Sequence, residues 1–163
     1  MILLMLSLSH VLHLLATVVW IGGIAMILLV ILPGAKATLE SAPMVKRLMK
    51  EISKRFTPMA NISILVLIAT GIVIARYEKN FIGLLEFNKP WNVIMLLKHF
   101  LVALMIIIHF YRGLILNPKI GRLSSKINES KVAKLQKISL DLVKFNLVLG
   151  MIVLLLTGIS SSL

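Results

Sequence analysis

Four histidines lie within long apolar segments of the chain, where an ionisable side chain is costly. They are His10, His13, His99 and His109. Polar groups inside a bilayer indicate a functional site by default, because unpaired polarity is expensive there. The 163 residues include no cysteine, which excludes thiolate metal sites, iron–sulfur clusters, thiol catalysis and disulfides. Imidazole nitrogens and the thioether sulfurs of nine methionines are therefore the soft metal ligands that remain.

The spacing of these histidines places them on helical stripes. Steps of three and four residues align one stripe in the first apolar segment and another in the third. The stripes comprise His10, His13, Thr17, Trp20 and Ile24, and Met95, His99, Val102, Ile106, His109 and Gly113. A lipid-facing surface would not carry such polar residues, so both stripes are predicted to face the protein interior. Gly22 and Gly23 would allow a neighbouring helix or a flat ligand to approach closely.

One pair of histidines is predicted to lie at a similar depth on the outer side of the membrane. His13 and His99 would then supply the two axial nitrogens that haem b requires on opposite faces of its ring. Trp20 and Gly23 would line the ring, and Lys98 could meet a propionate. This arrangement predicts haem b as the cofactor. His10 and His109 are additional candidate ligands, although an interfacial or packing role is favoured for both.

Copper is the alternative metal. His10 and His13, three residues apart, can share one ion, and Met1 and Met5 could add thioether ligands for Cu(I). Methionine is also ordinary filling in apolar cores, which weakens this pattern. A third interpretation is that the histidines only form hydrogen bonds between helices.

The elements that must position these residues are membrane-spanning helices. Hydrophobic residues make up 59% of the chain and charged residues 15%, proportions that a soluble domain does not reach. Four apolar segments, near 6–32, 58–76, 92–116 and 138–160, are long enough to span a bilayer. No alternating β-barrel pattern occurs. The chain is therefore predicted to be all-α, a four-helix bundle forming one transmembrane domain over residues 1–163.

Charge predicts the orientation. The net charge of +12 is concentrated in the connections 33–57 and 117–137. No basic side chain occurs before His10 or after Lys144. The positive-inside rule places both basic connections in the cytoplasm and both termini outside, as in a multi-pass plasma membrane protein. The partner that this charge indicates is the lipid bilayer and not nucleic acid, and both basic connections are predicted to be partly helical.

A weak internal repeat relates the two halves at an offset of about 87 residues. "LIATGI" (67–72) matches "LLLTGI" (154–159), and "LHLLATVV" (12–19) matches "KHFLVALM" (98–105), which pairs His13 with His99. Because both halves have the same orientation, the repeat is parallel. It predicts a pseudo-two-fold axis along the membrane normal, with two helices in each half.

Several motifs resemble known membrane families. "HLLATVVWIGGIAM", "RFTPMANISILVLIATGIVIA" and "WNVIMLLKHFLVALMIIIHF" resemble the copper-resistance D (CopD) type membrane domain. The first and third segments are also similar to HemJ-type protoporphyrinogen oxidases, in which His13, Trp20 and Lys98 would be the matching positions. This chain lacks the arginine that the HemJ group carries beyond its Trp–x–x–Gly motif, a departure that argues against the oxidase activity. The CopD resemblance implies copper uptake, and the HemJ resemblance implies b-type haem.

These observations predict a haem b-binding membrane protein that transfers electrons, with a quinone or a small redox partner at the outer side. Copper transport or copper resistance is the alternative function, and a protoporphyrinogen oxidase-like enzyme is a further one. If the protein is an enzyme, it is predicted to be a membrane haem oxidoreductase, and a homo-oligomer is a candidate assembly. Acyl and phosphoryl transfer have no support, since neither GxSxG nor a glycine-rich phosphate loop is present.

Overall fold

Long helices account for nearly all of the described chain. The computed structural model describes residues 1–77, 90–124 and 129–162, and within these ranges it contains no strand. Helix α1 spans Ile2–Thr38 and helix α2 spans Ala42–Tyr77. Helix α3 comprises Pro90–Phe110, the π-helical segment Tyr111–Leu116 and Asn117–Ser124, and helix α4 spans Glu129–Ser162. All four are long and apolar enough to cross a membrane, which confirms the all-α membrane class.

The helices extend beyond the predicted apolar spans because the basic connections are themselves helical. Helix α2 begins at Ala42, and the carbonyl of Ser41 accepts hydrogen bonds from the backbone N–H of Met44 and Val45, at 3.1 and 3.2 Å. Pro43 occupies the first turn, where its missing N–H has no cost. Hydropathy therefore predicted only the apolar segment of each helix. Residues 125–128 of the second basic connection lie outside the described residues.

The chain divides into two compact units, Met1–Gly83 and Leu84–Leu163. In each unit two long helices pack along one another: α1 on α2 in the first, which we call hairpin one, and α3 on α4 in the second, hairpin two. This division coincides with the two halves of the predicted repeat.

Hairpin one is closed by a seam of small residues around one large aromatic side chain. The small members include Ser9, Ala16, Ala60 and Ser63, which are all buried and allow the two backbones to approach closely. Trp20, only 1% exposed, fills the centre of the seam. It lies in the first of two π-helical segments of α1, Val18–Gly22 and Ile27–Ile31. Such segments are rare and occur frequently at functional sites.

Hairpin two has a seam with a seven-residue period. The buried residues Val132, Ser139, Asn146 and Val153 recur along α4 at this spacing, which keeps one face of a helix against its neighbour. The buried residues of α3 include Met105, Ile108, His109 and Leu116. Polar groups are therefore enclosed in the second hairpin as well as in the first.

Candidate functional site

The best-defined polar contact in hairpin one joins His13 of α1 to Thr70 of α2. His13 Nδ1 and Thr70 Oγ1 are 2.8 Å apart. The Thr70 hydroxyl has one hydrogen, and it donates this hydrogen to the carbonyl of Val66 at 2.6 Å. The hydroxyl must therefore accept from His13, so Nδ1 carries the imidazole hydrogen and Nε2 carries the lone pair. This is the tautomer that binds a metal through Nε2.

Gly71, next to Thr70, also lies beside the His13 ring. A Cβ built on Gly71 would lie 3.7 Å from Cε1 of His13, in ordinary van der Waals contact. On the other side, Thr17 donates its hydroxyl to the carbonyl of His13 at 2.8 Å. The Thr–Gly pair of α2 thus packs against the half-buried His13 ring and fixes its orientation.

A second contact in the same hairpin joins Gly23 to Phe56. A Cβ on Gly23 would lie 2.8 Å from Cζ of the Phe56 ring and closer still to its Cε2. Gly23 has ordinary α-helical backbone angles, so it is required for space and not for conformation. The Phe56 ring thus occupies the space beside Gly23 where the sequence predicted that a neighbouring helix or a flat ligand could approach.

His10 lies one turn before His13 and is exposed. Its Nδ1 donates to the carbonyl of Leu6 at 2.9 Å, so its Nε2 also carries the lone pair. From His13 to Ile24 the predicted inward stripe is buried or half-buried, whereas His10 is exposed.

In hairpin two, His99 is exposed and donates from Nδ1 to the carbonyl of Met95 in its own helix, at 2.6 Å. The Thr–Gly pair of α4 does not repeat the arrangement of α2. Thr157 donates to Val153 of its own helix at 2.8 Å, and within the described residues no atom lies within 4 Å of a Cβ on Gly158. Lys98 beside His99 is half-buried.

Deeper in hairpin two, polar side chains are enclosed between α3 and α4. His109 is buried, and its ring packs edge-on against Phe110 with centroids 5.4 Å apart. One turn further, Nε of Arg112 donates to the hydroxyl of the buried Ser139 at 3.1 Å. Asn146, two turns along α4 from Ser139, is 3% exposed, and its Oδ1 has no hydrogen-bond partner among the described residues.

Comparison with known proteins then adds a family. The family model described as copper resistance protein D, CopD, matches residues 50–160, about two thirds of the chain. This chain belongs to the CopD family. Neither the comparison with curated proteins nor that with solved structures gives a match.

The CopD match begins within α2, so it includes Phe56, Thr70 and Gly71 and leaves out the first helix. In hairpin one, residues of this match contact the first helix. Phe56 packs against Gly23, and Thr70 accepts a hydrogen bond from His13. The sequence indicated His13, Trp20 and Gly23 as site residues, and the structure places all three on the contact face of α1. It also adds Thr70, Gly71 and Phe56, whose contacts with α1 the sequence did not predict.

The remaining predicted site residues of this CopD-family chain, Lys98, His99 and His109, lie in hairpin two. The predicted axial pair of His13 and His99 is therefore divided between the two units, and haem ligation by this pair stays a prediction. Among residues 1–77, 90–124 and 129–162, no group of three or more His, Cys, Asp or Glu side chains is placed to hold a metal ion.

Proposed function

We propose that this protein is a copper-handling membrane protein that binds Cu(I) as its substrate, with His13 as a ligand. The observation that supports this proposal is the hydrogen bond from His13 Nδ1 to Thr70, which leaves the lone pair on Nε2. A metal-binding histidine commonly donates its other ring N–H to an oxygen acceptor, which fixes the tautomer and the ring orientation. Membership of a family described by copper resistance makes copper the favoured metal over iron in haem.

His10 and the first methionines complete the proposed ligand set. His10 and His13 are three residues apart on α1, and both donate from Nδ1, so both would bind through Nε2. Met1 and Met5 are exposed at the same end of the helix and supply thioether sulfurs. Imidazole and thioether ligands together suit Cu(I).

The charge distribution supports a location of this site at the outer face of the plasma membrane. Lys36 lies in the last turn of α1, Lys46 and Arg47 follow the helix, and no basic residue precedes His10. The positive-inside rule then puts His10 and His13 outside, where copper would enter.

Cu(I) titration of the purified full-length protein tests the proposal. A colorimetric chelator competes for the ion, and the wild-type protein is expected to withdraw copper from it. His13→Gln and His10→Gln are expected to weaken this binding about tenfold or more, whereas Met26→Leu, at an exposed position of the same helix, should leave it unchanged. A wild-type protein that takes no Cu(I) from the chelator would refute the proposed function.

Haem b ligation by His13 and His99 is the second candidate, because His99 also donates from Nδ1 and would present Nε2 to iron. Haem would supply one-electron redox chemistry, in which a quinone or a small protein is the expected partner. An absorption spectrum separates the candidates. Protein produced with ample haem and copper is expected to lack a Soret band if the copper proposal is right. A Soret band that disappears in both His13→Ala and His99→Ala would establish the haem candidate instead.

A further inference from the structure

A second pair of soft ligands lies inside hairpin two. Met105 and His109 are four residues apart on α3, so their side chains occupy neighbouring turns of one face. Met105 is 1% exposed and His109 is 9% exposed. The buried face of α3 therefore carries two side chains of the kinds that bind Cu(I).

The same spacing occurs once more in α3. Met95 and His99 are also four residues apart, and the His99 ring bonds to the carbonyl of Met95 at 2.6 Å. That contact shows that a histidine at this spacing folds back over the turn that carries the methionine. The two pairs are separated by ten residues, or about 15 Å along the helix axis at 1.5 Å per residue.

Asn146 of α4 faces the same stretch of the hairpin interior. The Arg112–Ser139 hydrogen bond fixes which turns of α3 and α4 lie opposite each other. Met105 is seven residues before Arg112, and Asn146 is seven residues after Ser139, so in an antiparallel pair they lie at one level. Asn146 is on the buried face of α4, and its Oδ1 has no hydrogen-bond partner among the described residues. A buried amide oxygen without a partner is costly in an apolar interior and indicates a place that a ligand or a water completes.

We infer that Met105 and His109 form a Cu(I) site within hairpin two, separate from the His10–His13 site. This inference rests on the proposed function, since it assumes that copper is the ion that the protein handles. The Asn146 amide oxygen is a hard ligand and would not bind Cu(I) itself; it would accept a hydrogen bond from a group ordered around the ion. The positive charge of Arg112, one turn from His109, would keep the ion from binding too tightly to leave, as a transit site requires.

Variants of the full-length protein test the inference. Met105→Leu conserves volume and removes only the sulfur, and His109→Gln removes the imidazole but keeps a polar side chain. Each is expected to lose one Cu(I) equivalent relative to wild type, and the double variant should lose the same one and not two. Met151→Leu is the matched control, because Met151 lies on α4 of the same hairpin with its side chain half exposed. Helical circular dichroism of each variant shows whether it is folded.

The outcomes separate this inference from the proposed function. His13→Gln is expected to remove a different Cu(I) equivalent and to leave the one at Met105 in place. X-ray absorption at the copper edge of His13→Gln should then show sulfur scattering that Met105→Leu removes. If wild type binds Cu(I) and His13→Gln abolishes all of it while Met105→Leu and His109→Gln bind as wild type, the inner site is refuted and the proposed function stands. If wild type binds none, both are refuted.

Discussion

A single threonine decides which nitrogen of His13 carries the imidazole hydrogen. Thr70 has only one hydroxyl hydrogen, and the carbonyl of Val66 takes it at 2.6 Å. The sequence could not show this contact. Which residue of α1 lies opposite a Thr–Gly pair of α2 depends on how the two helices align, and the sequence does not give that alignment. Both halves contain "TG", but Thr70 of hairpin one contacts His13, whereas Thr157 of hairpin two donates to Val153 of its own helix.

Replacing Thr70 tests this positioning role. Thr70→Val keeps the shape and removes the acceptor, so the His13 ring loses its fixed tautomer and orientation. We expect Cu(I) affinity at the His13 site to fall about tenfold, the lower end of the usual effect of removing such a supporting partner. Thr70→Ser keeps the hydroxyl and should bind within about twofold of wild type. Chelator competition measures both, and equal affinity for Thr70→Val and Thr70→Ser would contradict the role.

Replacing Gly23 with alanine tests its close contact with Phe56. Alanine favours a helix over glycine by about 1 kcal/mol, but at this position its Cβ would overlap the aromatic ring, which costs about 1–3 kcal/mol. We therefore expect Gly23→Ala to lower thermal stability in detergent, as followed by circular dichroism. Gly34→Ala is the control, since no described atom lies within 4 Å of its Cβ and only the gain in helix propensity remains. A Gly23→Ala variant as stable as Gly34→Ala would show that the ring moves aside freely.

At the scale of the helices, apolar length predicted the number of spans but not the full length of each helix. The predicted span 58–76 lies within Ala42–Tyr77, because the amphipathic basic stretch before it continues the helix without needing a lipid-facing surface. The π-helical segments at Val18–Gly22 and Tyr111–Leu116 had no sequence indication, since they depend on how each helix fits its neighbour.

Removing the Arg112–Ser139 hydrogen bond tests how much it stabilises hairpin two. Ser139→Ala removes a hydrogen bond that crosses from α3 to α4, and Ser124→Ala removes one that stays within α3, to the carbonyl of Ile120. Hydrogen bonds to charged groups are worth about 1.5–3 kcal/mol in water-soluble proteins, but interhelical ones in membranes average about 0.6 kcal/mol. We expect Ser139→Ala to lower the free energy of unfolding by about 1 kcal/mol and Ser124→Ala by less. Denaturant titration in mixed micelles measures the difference, and a larger loss for Ser124→Ala would mean that Arg112 does not join the helices.

At the scale of the whole molecule, the repeat predicts two equivalent halves, and the contacts show where the equivalence ends. Each half is a pair of long helices, so the repeat correctly indicated the architecture. The histidines that it pairs differ, since His13 bonds to the neighbouring helix and His99 to its own. The two halves therefore share the helical hairpin but differ in the polar contacts of the paired histidines.

Under the proposed function, the side from which copper enters depends on the orientation of the whole chain. This orientation can be measured without removing any native thiol. The sequence contains no cysteine, so each single-cysteine variant reports one position. Ala37→Cys, at the end of α1, and Ala133→Cys, in the basic part of α4, are both exposed and near lysines that favour the cytoplasm. Ser161→Cys is exposed at the opposite end of α4. We expect a membrane-impermeant maleimide to label Ser161→Cys on intact cells and to label the other two only after permeabilisation. The reverse pattern would place His10 and His13 at the inner face, and these residues would then meet copper on its way out of the cytoplasm.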